Sequence, residues 1–229
     1  MSGDEQINYY SLICSRSNGH NKTALELFKY LGEAGVQVKN LIGYNSIFEA
    51  YSEGFKSLNA KNQDIIILCH DDISIIDPHK QFKKALQETQ VYDTGFIGVA
   101  GTARLQETAV WWDWVNPQHM KGSVYHGTSE TSHRTDFGPP GKVVVLDGLF
   151  LACRAELLTK IDLTKPIEFE GNWDFYDLHL TLQAYQRNFN NKVVKLQLRH
   201  ESMGEITDRT SWHKNREAFM KMYKLPIKL

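Results

Sequence analysis

Residues 64–72 read DIIILCHDD, an apolar run of strand length that ends in three polar side chains. A short run that is apolar at every position is typical of a strand covered on both faces, as in the parallel sheets of α/β proteins. Ligands of open parallel sheets bind beyond the carboxyl ends of the strands. We therefore expect His70, Asp71 and Asp72 to emerge where such a sheet would bind a ligand.

Segments with strand-like and helix-like patterns alternate on both sides of this run. The pattern predicts an α/β fold with a mixed, mainly parallel central sheet flanked by helices, in one domain over residues 1–229. Residues 101–142 show no period and are expected to be irregular. The other predicted strands cover 9–14, 36–42, 96–100, 143–152 and 193–198, and the predicted helices cover 23–34, 46–58, 78–90, 155–160, 175–187 and 208–223.

Charge and cysteine usage exclude several classes of protein. Lys and Arg number 26 against 27 Asp and Glu, which argues against a long footprint on nucleic acid. Cys14, Cys69 and Cys153 lie in separate apolar runs, which predicts reduced core thiols. The first ten residues lack the features of a signal peptide, and no apolar window reaches the ~20 residues of a membrane span. A cytoplasmic protein is expected, with peripheral membrane attachment left open.

The acidic end of the central strand has two interpretations. The adjacent carboxylates of Asp71 and Asp72 repel each other unless a cation is present, and oxygen ligands suit Mg²⁺ or Mn²⁺. Such an ion can neutralise a diphosphate and polarise its leaving oxygen. The alternative is a plain turn or helix cap, since Asp is common after strands.

The His70-Asp71-Asp72 triplet resembles the aspartate-any-aspartate motif of glycosyltransferase family 2, with the A-type nucleotide-sugar fold, and in particular its short bacterial branch. In that family the motif holds a metal ion and the donor diphosphate. The resemblance implies Asp72 as a metal ligand and Asp71 as a donor contact. Histidine stands at the first aspartate position, so His70 becomes a further candidate ligand.

Other stretches match the same family. Residues 44–54 resemble the helix before the metal strand, with Asn45 at its start, and Ser15 and Arg16 lie in the loop that binds the nucleotide. Asp147 and Gly148 lie on a strand similar to the one beside the acceptor, where the glycine would let a sugar approach. By themselves, the loop after the first strand could be a plain turn and Gly148 could mark a bulge.

The start of the helix near residue 175 supplies a candidate base. Asp174 and Asp177 are three residues apart near a helix N-terminus, where carboxylates are also stabilised without any catalytic role. The resemblance implies that Asp177 removes the proton of the acceptor hydroxyl. Tyr176 occupies the family's glutamate position, and Gln183 replaces its usual arginine.

The last part of the chain adds one more candidate ligand. His200 follows the late strand, and in several relatives a histidine near this point completes the metal site. A lone histidine is otherwise a common surface or core residue. Residues 183–229 are rich in basic side chains with aromatic side chains between them. This composition suits a segment that closes over a diphosphate, one that contacts an anionic membrane surface, or an ordinary helix packed on the domain. Trp111, Trp112 and Trp114 could stack on a sugar or cover the core.

Together with these residues, the resemblance implies a metal-dependent, inverting transferase that moves a sugar from a nucleotide-sugar to a saccharide or lipid-linked acceptor. Residues 1–100 would bind the nucleotide, and residues 101–229 would bind the acceptor and form the C-terminal helix. The expected cofactor is Mn²⁺ or Mg²⁺. Two alternatives stay open: a non-catalytic carbohydrate- or nucleotide-binding relative, and a sugar-phosphate nucleotidyltransferase, which generally needs a glycine-rich phosphate loop.

Overall fold

A computed structural model describes residues 6–15, 21–202 and 209–229 of the chain. Strands and helices alternate in the first half, as the sequence predicts. The helices are α1 Lys22–Glu33, α2 Ile47–Lys56, α3 His79–Gln87, α4 Ala155–Lys160, α5 Tyr176–Gln186 and α6 Arg209–Met222, with short 3₁₀ turns at Glu88–Gln90 and Pro117–His119. The strands are β1 Tyr9–Ser15, β2 Gln37–Ile42, β3 Ile65–His70, β4 Ile73–Ile75, β5 Thr94–Gly98, β6 Ala100–Thr102, β7 Arg104–Leu105, β8 Met120–His126, β9 His133–Gly138, β10 Gly141–Val143, β11 Val145–Leu146, β12 Phe150–Arg154, β13 Asn190–Val193, β14 Leu198–His200 and β15 Ile227–Lys228.

The central sheet is mixed, and the expectation of a mainly parallel sheet is wrong. Its order is β10-β13-β5-β12-β3-β1-β2. Three of the six pairings are antiparallel, because β12 runs against both β3 and β5, and β10 runs against β13. β12 is apolar at its first four positions and buried there on both faces, which suits an interior strand of either direction. A hydrophobic pattern therefore predicts that this strand is central but not which way it runs.

A second sheet occupies much of the segment expected to be irregular, so that expectation is also wrong. Its order is β11-β6-β8-β14-β4, with β9 paired to β8. Alternate residues of β8 from Met120 to Val124 are buried, and Gly122 is one of them. Gly122 has φ +96°, and a Cβ there would lie 1.9 Å from the Val99 carbonyl oxygen, so the close approach needs glycine. Polar residues and glycines conceal this short alternation in the sequence.

The late strand predicted over 193–198 is two strands in different sheets. β13 pairs in parallel with β5 in the central sheet, whereas β14 pairs with β8 and β4 in the second sheet. The chain crosses between the sheets at residues 194–197, where Lys195 and Gln197 are exposed. This crossing brings the end of β14 next to the segment that follows β3.

A buried amide joins the central sheet to α5. Asn191 is fully buried; its Oδ1 accepts a hydrogen bond from the Phe96 N–H at 3.0 Å. Its Nδ2 donates to the carbonyl oxygens of Val144 at 2.9 Å and Thr181 at 2.7 Å. The side chain thus forms hydrogen bonds with backbone groups of three separate segments inside the core. No helix among the described residues combines the length and apolarity that crossing a bilayer requires.

Replacement of Asn191 by Leu should remove these three buried hydrogen bonds and leave the Phe96 N–H without this acceptor. We expect Asn191→Leu to lower the free energy of unfolding by roughly 3 kcal/mol, because each buried unsatisfied group costs about 1–3 kcal/mol. Urea denaturation would measure the change. The control Asn59→Leu, at an exposed position, should stay within about 0.5 kcal/mol of the parent. Equal stability of the two variants would contradict the role given to Asn191.

Candidate functional site

Two histidines flank Asp72 just beyond the end of β3. His70 ends β3 and His200 ends β14, whose antiparallel pairing with β4 sets His200 opposite Ile73. His200 Nε2 lies 3.2 Å from Asp72 Oδ2, and His70 Nδ1 lies 3.7 Å from Asp72 Oδ1. One ligand atom from each of the three side chains lies within 4.8 Å of the other two. The three candidate metal ligands predicted from the sequence therefore converge.

The Asp72 carboxylate has an incomplete set of partners. Burial opposes its ionisation, but the hydrogen bond and charge of His200, together with the charge of His70, outweigh burial and lower the pKa of Asp72. Its Oδ1 atom is buried, and no described residue forms a hydrogen bond with it. A buried anionic oxygen in this state is costly unless a cation is present. The arrangement fits a divalent ion.

Tyr176 fixes the tautomer of His70. The Tyr176 hydroxyl donates its single hydrogen to the Gly148 carbonyl oxygen at 2.9 Å. The His70 Nε2 atom lies 2.8 Å from the same hydroxyl, so it satisfies the network by donating. When His70 is neutral, as a metal ligand must be, its Nδ1 is then an acceptor atom and lies 3.7 Å from Asp72 Oδ1. In metal sites, a hydrogen bond from the second imidazole nitrogen orients the ligand in this way.

Asp177 is tied to the loop that carries Asp147 and Gly148. Asp177 Oδ2 accepts a hydrogen bond from the Gly148 N–H at 2.9 Å, and Oδ1 accepts one from the Leu178 N–H at 2.8 Å. Burial, with the nearby Asp147 carboxylate, raises the pKa of Asp177 to about 7 despite these hydrogen bonds. Each carboxylate oxygen keeps a second lone pair, so Asp177 can still accept a proton.

Asp147, whose carboxylate lies near Asp177, also contacts the segment that carries the tryptophans. Its Oδ1 accepts from the Leu149 N–H at 3.0 Å, and its Oδ2 accepts from the Trp111 indole N–H at 3.1 Å. Trp111 is buried, whereas Trp114 is exposed and stacks on Phe137 with ring centroids 5.6 Å apart. The tryptophans thus divide between a core position and an exposed one.

Gly148 is required by the packing of α5. A Cβ at this position would lie 2.2 Å from the Tyr176 hydroxyl oxygen and 2.8 Å from the Asp177 Cβ. The side of Gly148 where a side chain would project is therefore occupied by α5. The sequence interpretation, in which this space admits a sugar, lacks support in the structure.

The predicted nucleotide contacts lie at the same end of the sheet. Ser15 ends β1 next to β3, is buried, and its hydroxyl donates to Asn40 Oδ1 at 2.8 Å. Asn45 is exposed and follows β2, which is parallel to β1. Asp71 is partly exposed between His70 and Asp72. Arg16 lies outside the described residues.

Two histidines that the sequence analysis did not single out extend the site. His126 on β8 is the strand partner of His200, with ring centroids 6.1 Å apart. His133 on β9 is the partner of His126, at 5.7 Å. Burial, with the neighbouring His200 and His133, lowers the pKa of His126. Both lie in the segment predicted to be irregular, so only knowledge of the strand pairing could have placed them near Asp72.

Gln183, at the position of the family's usual arginine, has a structural partner. Its Nε2 donates to the Asp162 carbonyl oxygen, and its Oε1 accepts from the Asp162 N–H, both at 2.9 Å. Asp174 is likewise occupied, because its Oδ2 accepts from the Ser211 hydroxyl at 3.1 Å. Of the acidic residues at the start of α5, Asp177 is the one beside Gly148.

Comparison with known proteins adds a family and a fold. The profile of a glycosyltransferase-like family matches residues 14–223. No curated protein matches the sequence. The solved structure of GalNAc-T7 with UDP, GalNAc and Mn²⁺ is similar over 92% of this chain, at 10% identity and a TM-score of 0.54. This chain spans 46% of that protein's chain.

Two further solved structures are similar at lower TM-scores. A197 from STIV matches over 85% of both chains at 16% identity, with a TM-score of 0.49. The 4-diphosphocytidyl-2C-methyl-D-erythritol synthase matches over 94% of this chain and 100% of its own at 12% identity, with a TM-score of 0.43. The family match covers most of the sequence, and the fold is shared with an A-type glycosyltransferase. The chain belongs to this glycosyltransferase-like family.

Proposed function

We propose that this protein is a metal-dependent glycosyltransferase that moves a sugar from a nucleotide-sugar to an acceptor hydroxyl with inversion. The observation that carries the proposal is the convergence of His70, Asp72 and His200 beyond the carboxyl end of β3. Ligands of α/β sheets bind at such an end. The family to which the chain belongs supports transfer of a glycosyl group.

The three side chains fit a divalent ion of the manganese type. One carboxylate and two imidazoles combine a hard oxygen ligand with nitrogen ligands that first-row transition metals accept. GalNAc-T7, which shares the fold, was solved with Mn²⁺. A bound ion would neutralise the donor diphosphate and stabilise the charge on the departing nucleotide. The buried Asp72 Oδ1, which accepts no hydrogen bond from a described residue, would gain the ion as a direct partner.

The donor and acceptor would approach from different elements. We assign the nucleotide to the loop after β1 and the neighbouring strand ends, with Ser15, Arg16, Asn45 and Asp71 as contacts. The division into a nucleotide half over 1–100 and an acceptor half over 101–229 is part of the proposal. The acceptor would be a saccharide or a lipid-linked saccharide, in the second case at the inner membrane surface.

Asp177 is the proposed general base. A pKa of about 7 lets Asp177 accept a proton near neutral pH, which is where a base is most effective. Its carboxylate would take the proton of the acceptor hydroxyl as that oxygen bonds to the anomeric carbon and the bond to the diphosphate breaks. Asp147 would keep the pKa of Asp177 high, and Trp111 would hold Asp147 in place.

Two substitutions should separate donor binding from transfer. Asp72→Asn should abolish the Mn²⁺-dependent thermal stabilisation by nucleotide-sugars, since a ligand raises stability only when it binds the native state. Asp177→Asn should keep that stabilisation and lower nucleoside diphosphate release by roughly 10²–10⁴-fold, the usual contribution of a general base. A thermal-shift screen would first select the nucleotide-sugar.

The same binding and release assays test the non-catalytic alternative and the metal site. A wild-type protein that binds the selected donor with Mn²⁺ but releases no nucleotide with any acceptor would favour that alternative. An Asp72→Asn variant with unchanged Mn²⁺-dependent binding would refute the metal site. Asp136→Asn, an exposed acid on β9, is the charge-matched control for both variants and should behave as wild type.

Tyr176→Phe tests the orientation of His70. The substitution removes the group that holds the His70 Nε2–H, so Mn²⁺ affinity measured by calorimetry should fall by about 10–100-fold. Tyr223→Phe is the matched control, because the Tyr223 hydroxyl contacts His179 Nδ1 at 2.7 Å, another tyrosine–histidine pair. An equal loss of affinity in both variants would show that Tyr176 does not act through His70.

The pH dependence of transfer should report Asp177. Its ionised fraction grows as pH rises through about 7, so the rate should rise over the same range. Asp147→Asn removes the charge that raises this pKa and should move the rise to lower pH. A pH profile of nucleotide release on wild type and variant measures the shift. A rise at unchanged pH in Asp147→Asn would contradict the pairing of the two carboxyls.

A further inference from the structure

A second concave site lies at the β10 edge of the central sheet. It is a cleft of about 400 Å³ between α3 and the strands β10 and β13. Four of its lining residues are lysines and one is an acid: Lys84, Lys142, Lys192, Lys195 and Glu88. None of the described residues proposed for the glycosyltransferase site lines it. The cleft therefore requires an explanation of its own.

The strand pairing sets two of these lysines against each other. Lys142 on β10 is the direct partner of Lys192 on antiparallel β13. Like charges at directly opposed positions destabilise a sheet. The side chain of Lys192 is only 18% exposed, so water screens its charge less than that of an ordinary surface lysine. The strand register therefore places two cationic side chains side by side, where one anion in the cleft could contact both.

The single acid cannot balance the four lysines. Glu88 Oε2 lies 3.7 Å from Lys192 Nζ, and the Glu88 side chain is half exposed. A hydrogen bond joins the two sides of the cleft: Gln81 Nε2 on α3 donates to the carbonyl oxygen of Lys195, which follows β13, at 3.1 Å. The cleft thus has sides connected by a hydrogen bond and more ammonium groups than carboxylates. Each ammonium group offers three N–H donors.

We propose that this cleft binds a compact polyanion that carries phosphate groups. Its volume falls in the range of about 300–1,000 Å³ typical of small-molecule sites, at the lower end. Lysine ammonium groups bind phosphate as point charges and need no fixed bidentate geometry. The same chemistry has two sources, a soluble polyphosphorylated molecule and the phosphate headgroups of an anionic membrane. Lysines that only protect an edge strand from aggregation would bind neither.

Titration with inorganic tripolyphosphate tests the soluble source, and co-sedimentation with phosphatidylglycerol vesicles tests the membrane source. Wild type should bind in at least one arm, more weakly as salt increases. Lys142→Gln/Lys192→Gln should lower that affinity at least 10-fold. The control Lys22→Gln/Lys29→Gln removes two exposed α1 lysines and should change it less than 2-fold. Cleft-dependent binding in one arm identifies the source.

A variant that should tighten binding distinguishes loss of the anion site from loss of folding. Glu88→Gln removes the one acid among the described residues that line the cleft and should tighten binding, whereas Glu26→Gln on α1 should leave binding unchanged. Thermal melts should show that each variant is folded. The Tm of the wild-type protein should rise when the probe that it binds, tripolyphosphate or vesicles, is added. Absence of binding in both arms, or equal weakening by the two lysine pairs, would overturn the proposal.

Discussion

The site depends on a partly buried carboxylate held between two imidazoles at the end of a buried strand. Asp72 must stay ionised there, and the hydrogen bond and charge of His200 with the charge of His70 make this possible by lowering its pKa. Burial of its Oδ1 atom without a hydrogen bond is energetically unfavourable, and a bound cation would offset this cost. Every other part of the proposed chemistry requires that charge to be where the donor diphosphate arrives.

Tyr176 joins the cation side to the acceptor side. Its hydroxyl contacts His70 and the carbonyl of Gly148, whose N–H in turn binds Asp177. The proposed metal ligand His70 and the proposed base Asp177 are therefore held by neighbouring atoms of one loop and one helix terminus. Rigid placement of this kind contributes to catalysis because reacting groups need little reorganisation. A tyrosine at the family's glutamate position thus acquires a positioning role.

The sequence could predict where several candidate residues lie because these residues follow the ends of strands. The apolar run of β3 predicts a buried strand, and the polar residues after it necessarily emerge at its carboxyl end. The direction of β12 could not be predicted, because an interior strand is apolar whichever way it runs. His126 was missed for a related reason: strand pairing between β8 and β14, which are 74 residues apart at their facing histidines, leaves no local pattern.

The most direct test concerns the ligands of a bound ion. Mn²⁺ added to the protein should give pulsed electron paramagnetic resonance spectra with ¹⁴N couplings from imidazole, and His200→Gln should remove one set of them while His213→Gln should not. A wild-type spectrum with oxygen and water couplings only would place Mn²⁺ away from the two imidazoles and contradict the account.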